Sequence, residues 1–274
     1  MERVTLFCFA ASYAVALGLE LWHLYQRRAV HRLLANVFGG AGLLAHTVYL
    51  AVQRPPLGWQ YGLLLALAWI LAIFYLYGSV HHSRQAWGIF VLPVVLVLVG
   101  LAGIFGLPTT STGGRVSGLF SLEDREVLGI AHATFVILAA VGVCVGFVAS
   151  LMYLVQAQRL KAKMLPGQGL RLPSLERLET MNRRALTLAF PLLTVGALLG
   201  IVLMGHAAHE LAGWTDPRVL STALLWLVFA LLLYLRFGLH LRGRRVALLT
   251  LVAFGLLLLT LALPHMGRGR GGLP

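Results

Sequence analysis

The sequence predicts an all-α fold, a polytopic transmembrane helix bundle of about eight spans with both termini extracytoplasmic. Three observations predict it. Only 11% of the 274 residues are charged while 59% are hydrophobic, and the mean hydropathy is +0.85. A soluble domain carries about 25% charged residues, so this chain lacks the polar groups to cover a globular surface in water. The apolar residues fall into eight runs near the length of about 20 residues that a helix needs to cross a bilayer. The cations fall between those runs, so the net charge of +13 reads as a topology signal, with no role for nucleic acid.

The spans are expected at about 3–24, 33–52, 59–78, 87–106, 127–155, 185–205, 219–236 and 246–264. The first run is long and ends at Arg27-Arg28, which reads as a retained span rather than a cleaved leader. Trp59, Trp87, Tyr153 and Trp214 stand near span ends, where amphipathic rings anchor at the interface. Residues 1–274 are expected to form a single integral membrane domain.

Lys and Arg alternate across the connections. Fifteen of the 22 collect on one side, in the groups around Arg27, Arg84, Arg159 and Arg242. That side is cytoplasmic by the positive-inside rule. Both tails and the loops 53–58, 107–126 and 206–218 then face outward. Ser121, with Asp124 three residues on, is a cap signal for the fifth helix. The long basic connection 156–184 contains Pro166-Gly167 and Pro173-Ser174. Ser174 is expected to cap a short helix running into span six. The halves on either side of this connection are expected to be packing units. Glu20, near the inner end of span one, is expected to pair with Arg27, Arg28 or His23. Cys8 and Cys144 form no C-x-x-C motif, which excludes a dithiol redox centre and a thiolate zinc site.

An ionisable group inside a membrane is a functional candidate by default. His23, His31, His81, His82 and His240 lie at inner ends, where a headgroup role suffices. The other five histidines are on the outer side. His46 lies about 9 Å below the outer end of span two at 1.5 Å per residue, and His132 lies at similar depth in span five. His206 and His209 follow span six, and His265 follows span eight. Four helices thus bring imidazoles to one level. Imidazole suits iron, copper, zinc and nickel, so residue type alone does not choose the metal. Two axial imidazoles on a heme iron would fit an apolar, helix-built pocket.

The outer loop 206–218 (HAAHELAGWTDPR) carries a second signal. The Trp214 face could stack on a porphyrin, and Arg218 could pair with a propionate. The plainer alternatives are an interface anchor at Trp214 and a helix start at Asp216-Pro217, with Asp as N-cap and Pro at the first helical position.

Three stretches resemble the cytochrome c assembly family, the heme-handling membrane proteins of the CcsA, CcmC and HemX type, with the eight-span layout nearest the HemX-like branch. They are HATFVILAAVGVCVGFVASLMYLVQ, LPSLERLETMNRRALTLAFPLLTVGALLG and the run from Asp216 to His265. The family signature reads roughly W-x-W-D-P-K. Here it reads Gly213-Trp214-Thr215-Asp216-Pro217-Arg218, so Asp and Pro are kept, Arg replaces Lys, and one Trp is displaced to 214. The resemblance implies a heme-handling core at 127–265, with His132 and His265 as axial ligands of heme b. His46 is a further candidate. It implies an assembly factor of cytochrome c maturation, not an enzyme, in the bacterial plasma (inner) membrane. It would present heme at the outer face to a partner that chaperones the apocytochrome. The alternative it implies is a HemX-like regulator of heme biosynthesis acting through the basic segment 156–184. Few charges lie near the midplane, which disfavours a transporter.

Overall fold

The computed structural model describes residues 6–26, 29–55, 60–81, 85–105, 124–163, 170–205, 217–241 and 243–263. They form α1 (Leu6–Gln26), α2 (Ala29–Gln53), α3 (Gln60–His81), α4 (Gly88–Phe105), α5 (Asp124–Lys161), α6 (Leu175–Gly205), α7 (Pro217–Phe237) and α8 (Arg244–Ala262). Among the described residues there are no strands. Seven of the helices are long and apolar enough to cross a membrane. The exception is α4, an apolar helix of 18 residues. At 1.5 Å per residue it is about 27 Å long, just short of a hydrocarbon core of about 30 Å.

The helix boundaries follow local chemistry. Ser174 caps α6 as expected: its Oγ accepts the Arg177 N–H at 3.3 Å, and its carbonyl accepts the Leu178 N–H at 3.0 Å. The capped helix is continuous with span six, giving 31 residues. Pro217 is the first residue of α7, where its missing N–H leaves no bond unmade. The Asp216 cap and the Ser121 cap lie outside the described residues.

The helices pack as two rings of four. In the first, α1 touches α2 and α4, and α3 touches α2 and α4. In the second, α5 touches α6 and α8, and α7 touches α6 and α8. The rings meet where α3 and α4 lie against α5 and α3 lies against α8. The division therefore falls between α4 and α5, not at the basic connection expected from the sequence. The reason is the α5–α6 seam. Gly142 faces Ala189 and the Ala185 carbonyl, where an added Cβ would stand 2.8 and 3.1 Å away. Gly146 faces Leu186, Asn182 and Thr250. Farther along, Gly196 faces Val136, and Gly200 faces His132. These are two G-x-x-x-G patterns, Gly142–Gly146 and Gly196–Gly200, and small residues at this spacing let helices approach closely in lipid. Neither pattern featured in the sequence reading.

In α3 and α5, 56% of the apolar window is buried, against 22% in α1, α2 and α6, so α3 and α5 form the centre. On α7 the exposed residues are Leu220, Ala223, Leu224, Leu227, Leu231, Tyr234 and Phe237. They recur at helical spacing and form an apolar face suited to lipid. Trp87, expected as an interface anchor, is instead buried edge-on against Phe74 at 5.7 Å.

Each ring holds a buried polar node toward one end, near its basic connections. In the first, Glu20 accepts the Tyr75 hydroxyl at 3.4 Å, and its carboxyl lies against Gly88, the first residue of α4. A carboxylate there complements the positive end of the helix. Arg32 is close enough to act on it electrostatically. Arg27 and Arg28, the expected partners, lie outside the described residues. In the second ring, Arg236 donates to Asn182 Oδ1 at 2.9 Å and to the Glu179 carbonyl at 3.1 Å, and pairs with the Glu179 carboxylate at 3.5 Å. Asn182 in turn donates to Ser150 at 2.8 Å, the Gly146 carbonyl at 3.1 Å and Thr250 at 3.2 Å. One asparagine thus connects all four helices. Arg236, read from sequence as an inner-side topology charge, is buried in this node.

Removing one member of such a network leaves the others unpaired in a low-dielectric interior. Arg236→Met is expected to destabilise the detergent-solubilised protein by on the order of 3 kcal/mol. The double variant Arg236→Met/Glu179→Gln should recover part of that loss. Thermal unfolding of the two variants beside the parent checks both.

Candidate functional site

His132 lies in the third turn of α5, about 12 Å from its start, and His46 lies about 10 Å from the end of α2. Their surroundings differ, because each belongs to a different ring. No hydrogen bond or ring contact joins the two. Among the described residues no three His, Cys, Asp or Glu side chains cluster as a metal site.

His132 is half-buried against α6. Its Nδ1 stands 2.7 Å from the Gly196 carbonyl oxygen. A carbonyl only accepts, so Nδ1 carries the proton and donates it. The lone pair then sits on Nε2, the arrangement in which a histidine ligates metal through one nitrogen while the other is fixed by a backbone carbonyl. The donor chemistry of this residue fits an axial iron ligand.

His46 is completely buried. Its ring stacks on Phe9 with centroids 4.2 Å apart and planes 5° from parallel. The Tyr13 hydroxyl lies 3.4 Å from Nδ1. Nε2 is buried with no hydrogen-bond partner. A buried polar atom left without a partner has a cost in folding; among the described residues His31 Nδ1 is the other such side-chain atom. Phe9 also packs on Tyr49 at 5.5 Å, and Tyr49 shares a hydrogen bond with Tyr61 at the start of α3. Beside Tyr61, Gln60 donates to the Leu263 carbonyl just after α8. This aromatic enclosure was missed in the sequence because α1 looks like any apolar span. A signal was present: Phe9, Tyr13 and Ala16 are spaced i, i+4, i+7, and all three are buried.

The remaining candidates cannot be placed. His206, His209, Trp214, Asp216 and His265 lie outside the described residues, as does the side chain of Arg218 in the first turn of α7. The described residue nearest His265 in sequence is Leu263, whose carbonyl ties the end of α8 to the start of α3. Of the two cysteines, Cys8 is exposed and Cys144 is buried. They stand on α1 and α5.

Comparison with known proteins gives a consistent family. The model of the cytochrome C assembly protein family matches residues 57–265, reaching further toward the N-terminus than the stretch 127–265 and taking in α3 and α4. Protein HemX of Bacillus subtilis is 27% identical over 156 residues, 57% of this chain and 56% of that protein. A cytochrome c biogenesis protein CcsA of Synechococcus sp. (strain JA-2-3B'a(2-13)) is 25% identical over 94% of this chain and 91% of its own length. The CcsA of Synechococcus elongatus is 38% identical over 80 residues, 29% of this chain and 24% of the relative. The chain thus spans about half of the HemX relative, a quarter of one CcsA and nearly all of another. No solved structure matches.

The unpartnered Nε2 separates a packing histidine from a working one. His46→Phe replaces the ring by one of similar shape with no polar atom to bury. The heme-free variant is expected to unfold at the parent's temperature or above. Phe9→Ala, by contrast, should cost about 3–5 kcal/mol. Thermal unfolding in detergent checks both.

Proposed function

This chain belongs to the cytochrome c assembly protein family, and from that premise we propose that it is a heme-handling membrane protein of cytochrome c maturation that presents heme b at the outer face of a bacterial inner membrane. His132 and His265 would hold the iron. The observation that carries this reading is the 2.7 Å bond from His132 Nδ1 to the Gly196 carbonyl, which leaves Nε2 free to coordinate. When bound, heme supplies an iron that accepts two imidazole nitrogens and vinyl groups that can be joined to thiols.

The chain's own residues bind and orient. The loop 206–218 would cover one porphyrin edge, with Trp214 to stack on the macrocycle and Arg218 to pair with a propionate. Pro217 opens α7, and an Asp216 cap would help to set where Arg218 stands. His206, His209 and His46 are further imidazoles at the outer level. His46 Nε2, buried and unpartnered, is the one whose present surroundings leave its coordinating atom unused.

Its role in this reading is to hold and present heme. Thioether bonds need reduced thiols. Those thiols come from an apocytochrome brought by a partner with the chaperone role. Both termini and the loop 206–218 face outward, and the cations of 156–184 face the cytoplasm.

One observation favours a second reading. Lys161, Lys163, Arg171, Arg177, Arg183 and Arg184 are exposed, which suits contact with an acidic cytoplasmic partner such as an enzyme of heme synthesis. That reading expects altered heme precursors with normal c-type cytochromes in a deletion strain. The leading one expects normal precursors with missing holocytochromes.

The direct test is spectroscopic. The protein purified in detergent should show a Soret band or gain one on titration with hemin, with a low-spin spectrum of two imidazole ligands. His132→Ala and His265→Ala should each convert it to a high-spin form or abolish it. A parent protein that gains no Soret band would sink the reading.

Alkaline phosphatase fused after Pro274 should be active, and fused after Lys163 inactive. The reverse pattern would overturn the orientation.

A further inference from the structure

We infer that Gly196 and Gly200 of α6 form a histidine seat, a positioning element that selects the tautomer of His132 and thereby decides which ring nitrogen the chain offers to a ligand. The consequence for iron rests on the heme-handling reading. The seat itself does not.

Both positions are tight for any residue larger than glycine. A Cβ on Gly200 would stand 3.0 Å from His132 Cε1 and 3.2 Å from Nδ1, so the imidazole lies directly against the α6 backbone. A Cβ on Gly196 would stand 3.1 Å from Val136 Cγ2 and 3.4 Å from Val136 N. Val136 is one turn beyond His132, so the two glycines receive two successive turns of α5.

The same geometry explains how a helical carbonyl becomes available to a side chain. Within α6 the Gly196 carbonyl points toward the N–H of residue 200. A side chain at position 200 would lean toward the helix N-terminus, over that carbonyl. With glycine there, the second lone pair of the oxygen is uncovered, and His132 takes it at 2.7 Å. Neutral imidazole free in water favours the proton on Nε2, the nitrogen that an outward-facing ligand must leave bare. The carbonyl reverses that preference. Donation to a carbonyl also makes the ring a stronger base toward metal.

α6 is braced at this height. Trp226 of α7 donates to Thr194 Oγ1 at 2.9 Å, and its ring lies 5.5 Å from Phe190. The seat is thus tied to the helix that follows the loop 206–218. The ring of His132 and the middle of α7 are held by one piece of α6.

The test reads the tautomer in heme-free protein. Protein labelled with 15N only at histidine is studied in detergent by nitrogen chemical shifts, with the His132 signals assigned by their loss in His132→Ala. The parent should show His132 protonated at Nδ1. Gly200→Ala should move it to the Nε2-protonated form or to a mixture. Gly129→Ala, at a position with nothing within 4 Å of an added Cβ, should leave it unchanged. Parent protein already protonated at Nε2 would overturn the seat without any mutant. So would an unchanged tautomer in a folded Gly200→Ala variant. In a hemin titration Gly200→Ala should weaken binding about 10- to 100-fold, and equal binding would overturn its role in ligation. The nitrogen shifts need no heme, so they decide the seat even if the parent binds none.

Discussion

Lipid offers no hydrogen bonds, so a polar group on a spanning helix must be met by another helix or left at a cost. That constraint organises both rings. Asn182 gathers α5, α6, α7 and α8 by meeting Gly146, Ser150, Thr250 and Arg236. Glu20 gathers α1, α3 and α4 by meeting Tyr75 and the start of α4. Both nodes lie near the basic connections. Toward the opposite ends of the helices the same rule gives His132 its backbone partner and makes the bare Nε2 of His46 conspicuous.

The α5–α6 seam serves packing and chemistry with one device. Gly142 and Gly146 bring two backbones together at mid-depth, and Gly196 and Gly200 do so at the outer end. At the first pair the space is filled by Ala189 and Leu186; at the second it is filled by an imidazole. Close approach exposes a carbonyl that a bulkier seam would cover. The helix pair that holds the second ring together therefore also sets the chemistry of its candidate ligand.

The two described outer histidines stand in contrasting settings. His132 is half-buried and anchored through one nitrogen. His46 is sealed among Phe9, Tyr13 and its own helix. The hydrogen bonds of Tyr49 with Tyr61 and of Gln60 with the Leu263 carbonyl tie the His46 enclosure to the outer end of α8. The enclosure and the last helix are thereby held in a fixed relation across the boundary between the rings.

The sequence by itself determined the class and the helices. Hydropathy over about 20 residues is a local property, and caps such as Ser174 act within one turn, so both are legible along the chain. The family was legible too, through the stretches from His132 to His265. What the tertiary structure alone decided is which helix meets which. The break between rings fell at α4–α5 because glycines on α5 match small residues on α6, a pairing between positions more than forty residues apart that no window along the chain detects. Arg236 read as a surface cation because its partners, Glu179 and Asn182, come from a different helix. The protonated nitrogen of His132 is likewise invisible in one dimension: it depends on a carbonyl that only a bare Gly200 uncovers.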